Sequence, residues 1–447
     1  MCSNHLDRRR FLQVVSGTAA ALVPALPAIA QSRTDHPELR AGTAVTEIAT
    51  PLEVGILMSS SAGRWEPFEG VRLPLQARVV VLERGPRRIA IAALDLLGLA
   101  GEALGGIDSF KKRITAAASQ AIAPDDLVLA CSHTHSAPES IALTDLPGTR
   151  AFQNWVDDLA EAIGRAVKDA TGALRPCGLR AGTHPAPGLT VNRRIRTTRG
   201  IASVRRQLPP DVVIGPEGPN DDAVRVAALV DKSDEPLAMF VNFTAHPVLE
   251  MCIKQVSPDY PGEMSLELER RHPGCVALFL QGACGNINPP TMDRSAVNAR
   301  QYGQRLAALV DEALGELQPV GSDELVLAWR TVRLPVRSLD GQLEEEPLVT
   351  KIGALRIGQA AWVFLPGEPF VEIALAIQEA SPWSFTAVAG YAEDYIGYIP
   401  TNRAFDNGGY EIGPGRWSLV ARGSEPIVRR EAVKLLEKLR ERRALTD

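Results

Sequence analysis

Cysteine is scarce: six stand in 447 residues, and Cys2, Cys131, Cys177, Cys252, Cys275 and Cys284 include no C-x-x-C pair. The spacing therefore gives no disulfide framework. One bridge stays open without a pair being selected, and most of the thiols read as small core residues. Positive charge is not in excess either. Lys and Arg total 48 against 53 Asp and Glu, a formal net charge of −5, and no sustained basic run follows the N-terminus. That excludes a nucleic-acid footprint. Internal repeats and low-complexity tracts do not stand out. What remains is ordinary for a globular chain with a sizeable core, 45% hydrophobic and 23% charged. Its length fits one large α/β domain or two smaller ones.

No apolar run is long enough for a membrane span. The nearest, "VVSGTAAALVPALPAIA", is short and carries Pro24 and Pro27. It follows "DRRRFLQ" (Asp7 to Gln13), which resembles a twin-arginine export motif, and Ala28 and Ala30 fit a signal-peptidase site. An amphipathic N-terminal helix is the other reading. The expectation is a signal peptide over residues 1–30 and a periplasmic or secreted protein with no transmembrane anchor. Residues 31–447 then form a single domain. Export of this type carries folded proteins, often around a cofactor.

Apolar runs alternate with helical spacing along the chain. "ARVVVLERG" and "RRIAIAALDL" flank Gly85-Pro86 as a hairpin. "SFKKRITAAASQAI" reads as a helix leading into the strand "DLVLACS". Trp155, Leu159, Ile163 and Val167 then mark a second helix. The hairpin of "RVAALVD" and "PLAMFVNFTAH" precedes helix "GEMSLELERRH", strand "CVALFLQG" and helix "NARQYGQRLAALVDEALGEL". A third hairpin, "TKIGALRIG" with "AAWVFLPGE", leads to helix "PFVEIALAIQEA" and strand "TAVAGY". This mixture predicts an α/β (mixed) fold of layered mixed β-sheets covered by helices. The polar interval from Val191 to Asp221, rich in Pro, Gly and Arg, reads as a long functional loop.

Histidine is rare, with seven in all, and its placement is informative. His133 and His135 follow "DLVLACS", His246 follows "AMFVNFTA", and Glu368 follows "AAWVFLPG". Tyr395 and Tyr398 come just after "TAVAGY", and "GACGNINPP" just after "VALFLQ". Strand C-terminal ends in layered α/β folds converge on the ligand crevice, so the active site is expected there. Alternate residues of a strand point the same way, and imidazole suits zinc, copper or iron. Each residue also has a plainer role: His246 as a hydrogen-bonded structural histidine, Glu368 as a cap on the helix after Pro369. Their joint position at strand ends favours a metal.

The segments "SHTHSAP", "VNRRIR", "NFTAHP", "YPG", "LPGEPF" and "YIGYIPTNRAFDNGGYE" occur in that order. They resemble the N-terminal catalytic domain of the neutral/alkaline, non-lysosomal ceramidase family, from near Val79 to Tyr410. Tyr398 and Tyr410 keep that family's twelve-residue separation. The resemblance implies a zinc ion (Zn2+) held by His133, His246, Glu368 and Tyr398. It implies His135 and Tyr410 facing the substrate carbonyl, and Arg193 contacting the substrate or leaving group. Zinc-activated water would then attack the amide of a small or lipid-like N-acyl substrate.

Two departures accompany the match. Asn286 and Asn288 in "GNINPP" replace the aspartate and serine of the family's "GDVSPN". That closes a serine-nucleophile route and leaves Asn288 as a hydrogen-bond donor to substrate or a turn residue. The family's C-terminal β-sandwich has no counterpart in this sequence, whose last segment is a basic helix. Other readings therefore stay open: a zinc hydrolase of an ester, lactone or glycosidic bond, or a non-catalytic metal- or ligand-binding protein.

Overall fold

The longest apolar runs become strands buried on both faces. In Leu75–Arg84, Val79 and Val81 point to one side, Val80 and Leu82 to the other, and all four are fully buried. Side chains alternate along a strand, so such a sequence needs an apolar layer on each face. The fold supplies both layers. Val80 and Leu82 belong to one packed cluster, Val79 and Val81 to another.

The computed structural model describes residues 38–203, 208–291, 294–321 and 324–444. The signal peptide read at residues 1–30 lies outside them. Three sheets within the described residues follow one plan. In the first unit, Arg40–Ile48, Leu75–Arg84 and Arg87–Leu94 pair antiparallel in succession. Helix Ile107–Ala117 then carries the chain to Leu127–Cys131, parallel to the third strand. The second unit repeats this with Gly178–Pro185, Ala223–Val230, Pro236–Phe243, helix Asp259–Arg271 and parallel Val276–Gln281. The third uses Leu325–Leu334, Leu348–Ile357, Ala360–Phe364, helix Val371–Glu379 and parallel Phe385–Ala389. A long helix follows each fourth strand: Arg150–Gly172, Ala296–Leu314 and Ser424–Ala444. A parallel partner requires a crossover, which is why each unit spends a helix there.

One face of every sheet joins a common core, to which the units contribute Val80, Phe240 and Trp362. The opposite face is covered by the unit's own helices, through Trp155 in the first, Leu306 in the second and Leu435 in the third. This is a mixed α/β fold with layered sheets covered by helices. The threefold plan is invisible as a sequence repeat because a buried strand needs apolar residues but no particular order of them.

One expectation is corrected. The interval Val191 to Asp221 is not one loop: Arg194–Thr197, Gly200–Ser203 and Val213–Pro216 form a small antiparallel sheet. Its strands carry no apolar run, being half-exposed along most of their length, so pattern alone hid them. Among the described residues, none of Cys131, Cys177, Cys252, Cys275 and Cys284 forms a disulfide. No helix of the described residues is long and apolar enough to cross a membrane.

Candidate metal centre

The third and fourth strands of all three units end at one place. His133 lies two residues past Cys131, His246 three past Phe243, Glu368 four past Phe364 and Tyr391 two past Ala389. Backbone bonds lock the ends together. Cys131 N–H donates to Tyr391 O (3.0 Å), Gly390 N–H to Gln281 O (2.9 Å) and Gly282 N–H to Phe243 O (2.8 Å). The Gln281 amide adds donations to Ser132 O and Ala245 O, both at 3.0 Å, tying the first unit to the second. His133 (φ 68°) and Tyr391 (φ 53°), at matching positions past their strands, both hold left-handed backbone. For non-glycine residues that conformation costs about 1–3 kcal/mol, and it clusters at functional sites.

The ring nitrogens are assigned by their partners. A carbonyl oxygen only accepts, so His133 Nδ1–H donates to Leu97 O (2.6 Å) and His246 Nδ1–H to Cys284 O (2.5 Å). Both rings therefore present Nε2 to the interior. His246 Nε2 lies 3.2 Å and His133 Nε2 3.4 Å from the same oxygen, Glu368 Oε2. Burial and the neighbouring Arg193 cation lower His246 to about 4, so its imidazole is neutral and Nε2 bears a lone pair. Burial alone would raise the Glu368 carboxyl. Nearby His133 outweighs it, and the group lies well below the usual carboxylate range, so Glu368 is a carboxylate. A lone pair on His246 thus faces a carboxylate lone pair in a fully buried place, an arrangement that a cation between them would satisfy. His135 Nε2 is 3.3 Å from His133 Nε2, and the ligand atoms of His133, His135 and His246 all lie within 4.8 Å of one another. The cluster is compatible with a divalent metal site.

Glu368 and Tyr398 are neighbours by register. Glu368-Pro369 pairs parallel with Tyr398-Ile399, and Glu368 N–H donates to Gly397 O (2.9 Å). Gly367 permits this: its φ is +62°, and an added Cβ would stand 2.4 Å from Gly397 O.

Arg193 reaches into the cluster. Its Nη2 donates to Tyr398 Oη (3.0 Å), its Nε to Glu411 Oε1 (2.8 Å), and its Nη1 lies 3.3 Å from His246 Nε2. Arg194, fully buried, donates to Glu411 Oε2 (2.5 Å) and pairs with Glu217. Tyr410 is 45% exposed, stacked on Trp417 at 5.4 Å and 7°, with its hydroxyl bonded to that of Ser60. A cavity of about 370 Å³ opens above. Its floor and wall include His133, His135, Arg193, His246, Glu368, Tyr398 and Tyr410. Leu57, Ile141, Leu143, Ile201, Met251 and Trp417 supply an apolar rim.

Seven of the eight residues singled out in the sequence thus meet at this cavity. Asn288 does not line it; it is fully buried, paired with Val191 in a two-residue antiparallel bridge. Its neighbour Asn286 has a clear structural task that the sequence did not announce. Its Oδ1 accepts from Val371 N (2.9 Å) at the start of the helix, its Nδ2 donates to Glu372 (2.9 Å), and its carbonyl accepts from Arg193 N (2.8 Å). Glu411, which holds both arginines, was also missed, although it ends the tyrosine-rich segment.

No family model matches the chain, and no curated relative does. Among solved structures, the crystal structure of neutral ceramidase from Pseudomonas aeruginosa superimposes with a TM-score of 0.72 at 22% identity, covering 91% of this chain and 75% of that one. A structure described as ceramidase complexed with C2 gives the same TM-score and identity and is covered over 76% of its length. At this identity the likeness establishes a shared, ceramidase-like fold.

Proposed function

We propose that this chain, on its ceramidase-like fold, is a zinc-dependent hydrolase that cleaves the amide bond of an N-acyl compound. The observation that carries this reading is the meeting of His133 Nε2, His246 Nε2 and Glu368 Oε2 beneath an apolar-rimmed cavity. Two histidines and a glutamate are a common hydrolytic zinc set, and Tyr398, beside Glu368, is the fourth ligand in this proposal. Zinc bound there would polarise a carbonyl and lower the pKa of water toward neutrality.

The chain's own residues supply the rest. His135 and Tyr410 stand on the cavity wall and donate hydrogen bonds to the substrate carbonyl oxygen as it gains charge. Arg193, whose Nη1 points into the cluster, contacts the substrate or its leaving group. Glu411 keeps that guanidinium in place, and the apolar rim shields the reacting groups from water. A glycosidic bond fits less well. Its hydrolysis ordinarily takes two working carboxyl groups, and here Glu411 is engaged by Arg193 and Arg194. The substrate class is an N-acyl amide, small or lipid-like.

The test is a panel of N-acyl amides, esters and nitrophenyl glycosides, assayed with and without zinc. Zinc-dependent amide turnover is expected. No turnover of any class with zinc bound would leave a binding protein instead. In the same proposal residues 1–30 are removed on export, leaving one domain from residue 31. The mass of the protein recovered from the cell envelope or medium checks this.

A further inference from the structure

Glu368 is held by two tyrosines outside the ligand set. Tyr395 Oη donates to Oε1 at 2.7 Å, and Tyr391 Oη donates to Oε2 at 3.2 Å. The two carboxylate oxygens therefore have different surroundings. Oε1 is turned to Tyr395, while Oε2 faces His246 and His133.

Tyr395 is placed from the first unit. Its side chain is buried, and its backbone N–H donates to Leu99 O (2.8 Å) in the first unit. Its ring lies against Gly98, where an added Cβ would stand 2.6 Å from Ile141 Cγ2 and 3.2 Å from Tyr395 Cδ2. The chain leaves the third unit at Ala389 and is bonded to the first unit at Tyr391, Glu393 and Tyr395. The phenol is thus aimed at Glu368 from a second sheet. The Tyr391 hydroxyl, by contrast, is shared with Cys284 Sγ at 3.0 Å.

We propose that Tyr395 is a positioning residue for Glu368, its phenol fixing Oε1 so that Oε2 alone is presented to the metal. The inference rests on the metal-centre reading above. A carboxylate with both oxygens free can bind an ion through either or both, and an outer hydrogen bond removes that choice. Loss of such a partner typically weakens metal binding about 10–100-fold.

The test uses the full chain and compares wild type with Tyr395→Phe, Tyr391→Phe and Gly98→Ala. The last crowds Ile141 and the Tyr395 ring without removing the hydroxyl. Zinc affinity is measured by chelator competition, and coordination geometry by the visible spectrum of the cobalt(II) form. Thermal unfolding of the metal-free proteins reports on folding. Tyr395→Phe should bind zinc about 10–100-fold more weakly and shift the cobalt bands, with metal-free unfolding unchanged. Gly98→Ala should move affinity and spectrum in the same direction, and Tyr391→Phe should change them less. Unaltered affinity and spectrum in both Tyr395→Phe and Gly98→Ala would overturn the positioning role while leaving the metal centre intact. A wild type that binds neither ion would overturn both.

Discussion

The histidines and the Glu368 backbone on the cavity floor are held by main chain, and the rim by side chains. On the floor, His133 is fixed by Leu97 O, His246 by Cys284 O, and Glu368 through its own N–H on Gly397 O, all at strand ends shared among three sheets. At the rim, Tyr410 rests on the Ser60 hydroxyl and the Trp417 ring, and Ile201 belongs to the small outer sheet. Main-chain acceptors come with the fold, whereas a side-chain support disappears with one substitution. In the proposed function the floor binds the ion, Tyr410 on the wall steadies the carbonyl oxygen, and apolar rim residues such as Ile201 select the substrate.

Four substitutions probe that division, from the largest expected effect to the smallest. His246→Ala should take the bound ion from about one per chain to none, abolishing turnover on every substrate, as elemental analysis beside an activity assay will show. An ion retained at full content would break the division at once. Glu411→Ala, at the seam between floor and rim, leaves two buried guanidiniums short of a partner and should cost about 3–5 kcal/mol in denaturant unfolding. Burial pushes the Glu411 carboxyl up, but Arg193 and Arg194 outweigh it and hold it below its ordinary value. Its contribution is therefore complete above an unfolded pKa of about 4.3 and is lost as pH falls through the lower folded value. The gap between wild type and variant should be flat near neutrality and close in acid.

Tyr410→Phe should lower kcat about 10²–10³-fold while the ion stays bound, since it removes one donor to the developing charge. Loss of metal in that variant would move Tyr410 to the floor. Ile201→Ala should leave metal content intact and stability within about 1 kcal/mol. It should shift kcat/KM between short and long acyl chains by about tenfold. Equal losses on all chain lengths would show that the outer sheet does more than select.

The floor was legible in the sequence for a physical reason. His133, His246 and Glu368 each follow an apolar run that can only be a buried strand, so their convergence follows from the architecture. The partners that orient them were not legible. Arg193 meets Glu411 across 218 positions and Asn286 meets Val371 across 85, and no local periodicity encodes such pairs. The outer sheet around Ile195 was hidden for the opposite reason: its half-exposed strands lack the apolar pattern that marks the others. Tyr395 stood out by position alone. Its task emerged only with Leu99 and Glu368 beside it.

Anomalous diffraction from crystals of the purified protein, recorded on either side of the zinc absorption edge, tests the central claim most directly. One peak is expected, within bonding distance of His133 Nε2, His246 Nε2 and Glu368 Oε2. A map with no peak among these atoms, from crystals grown with zinc present, would contradict it.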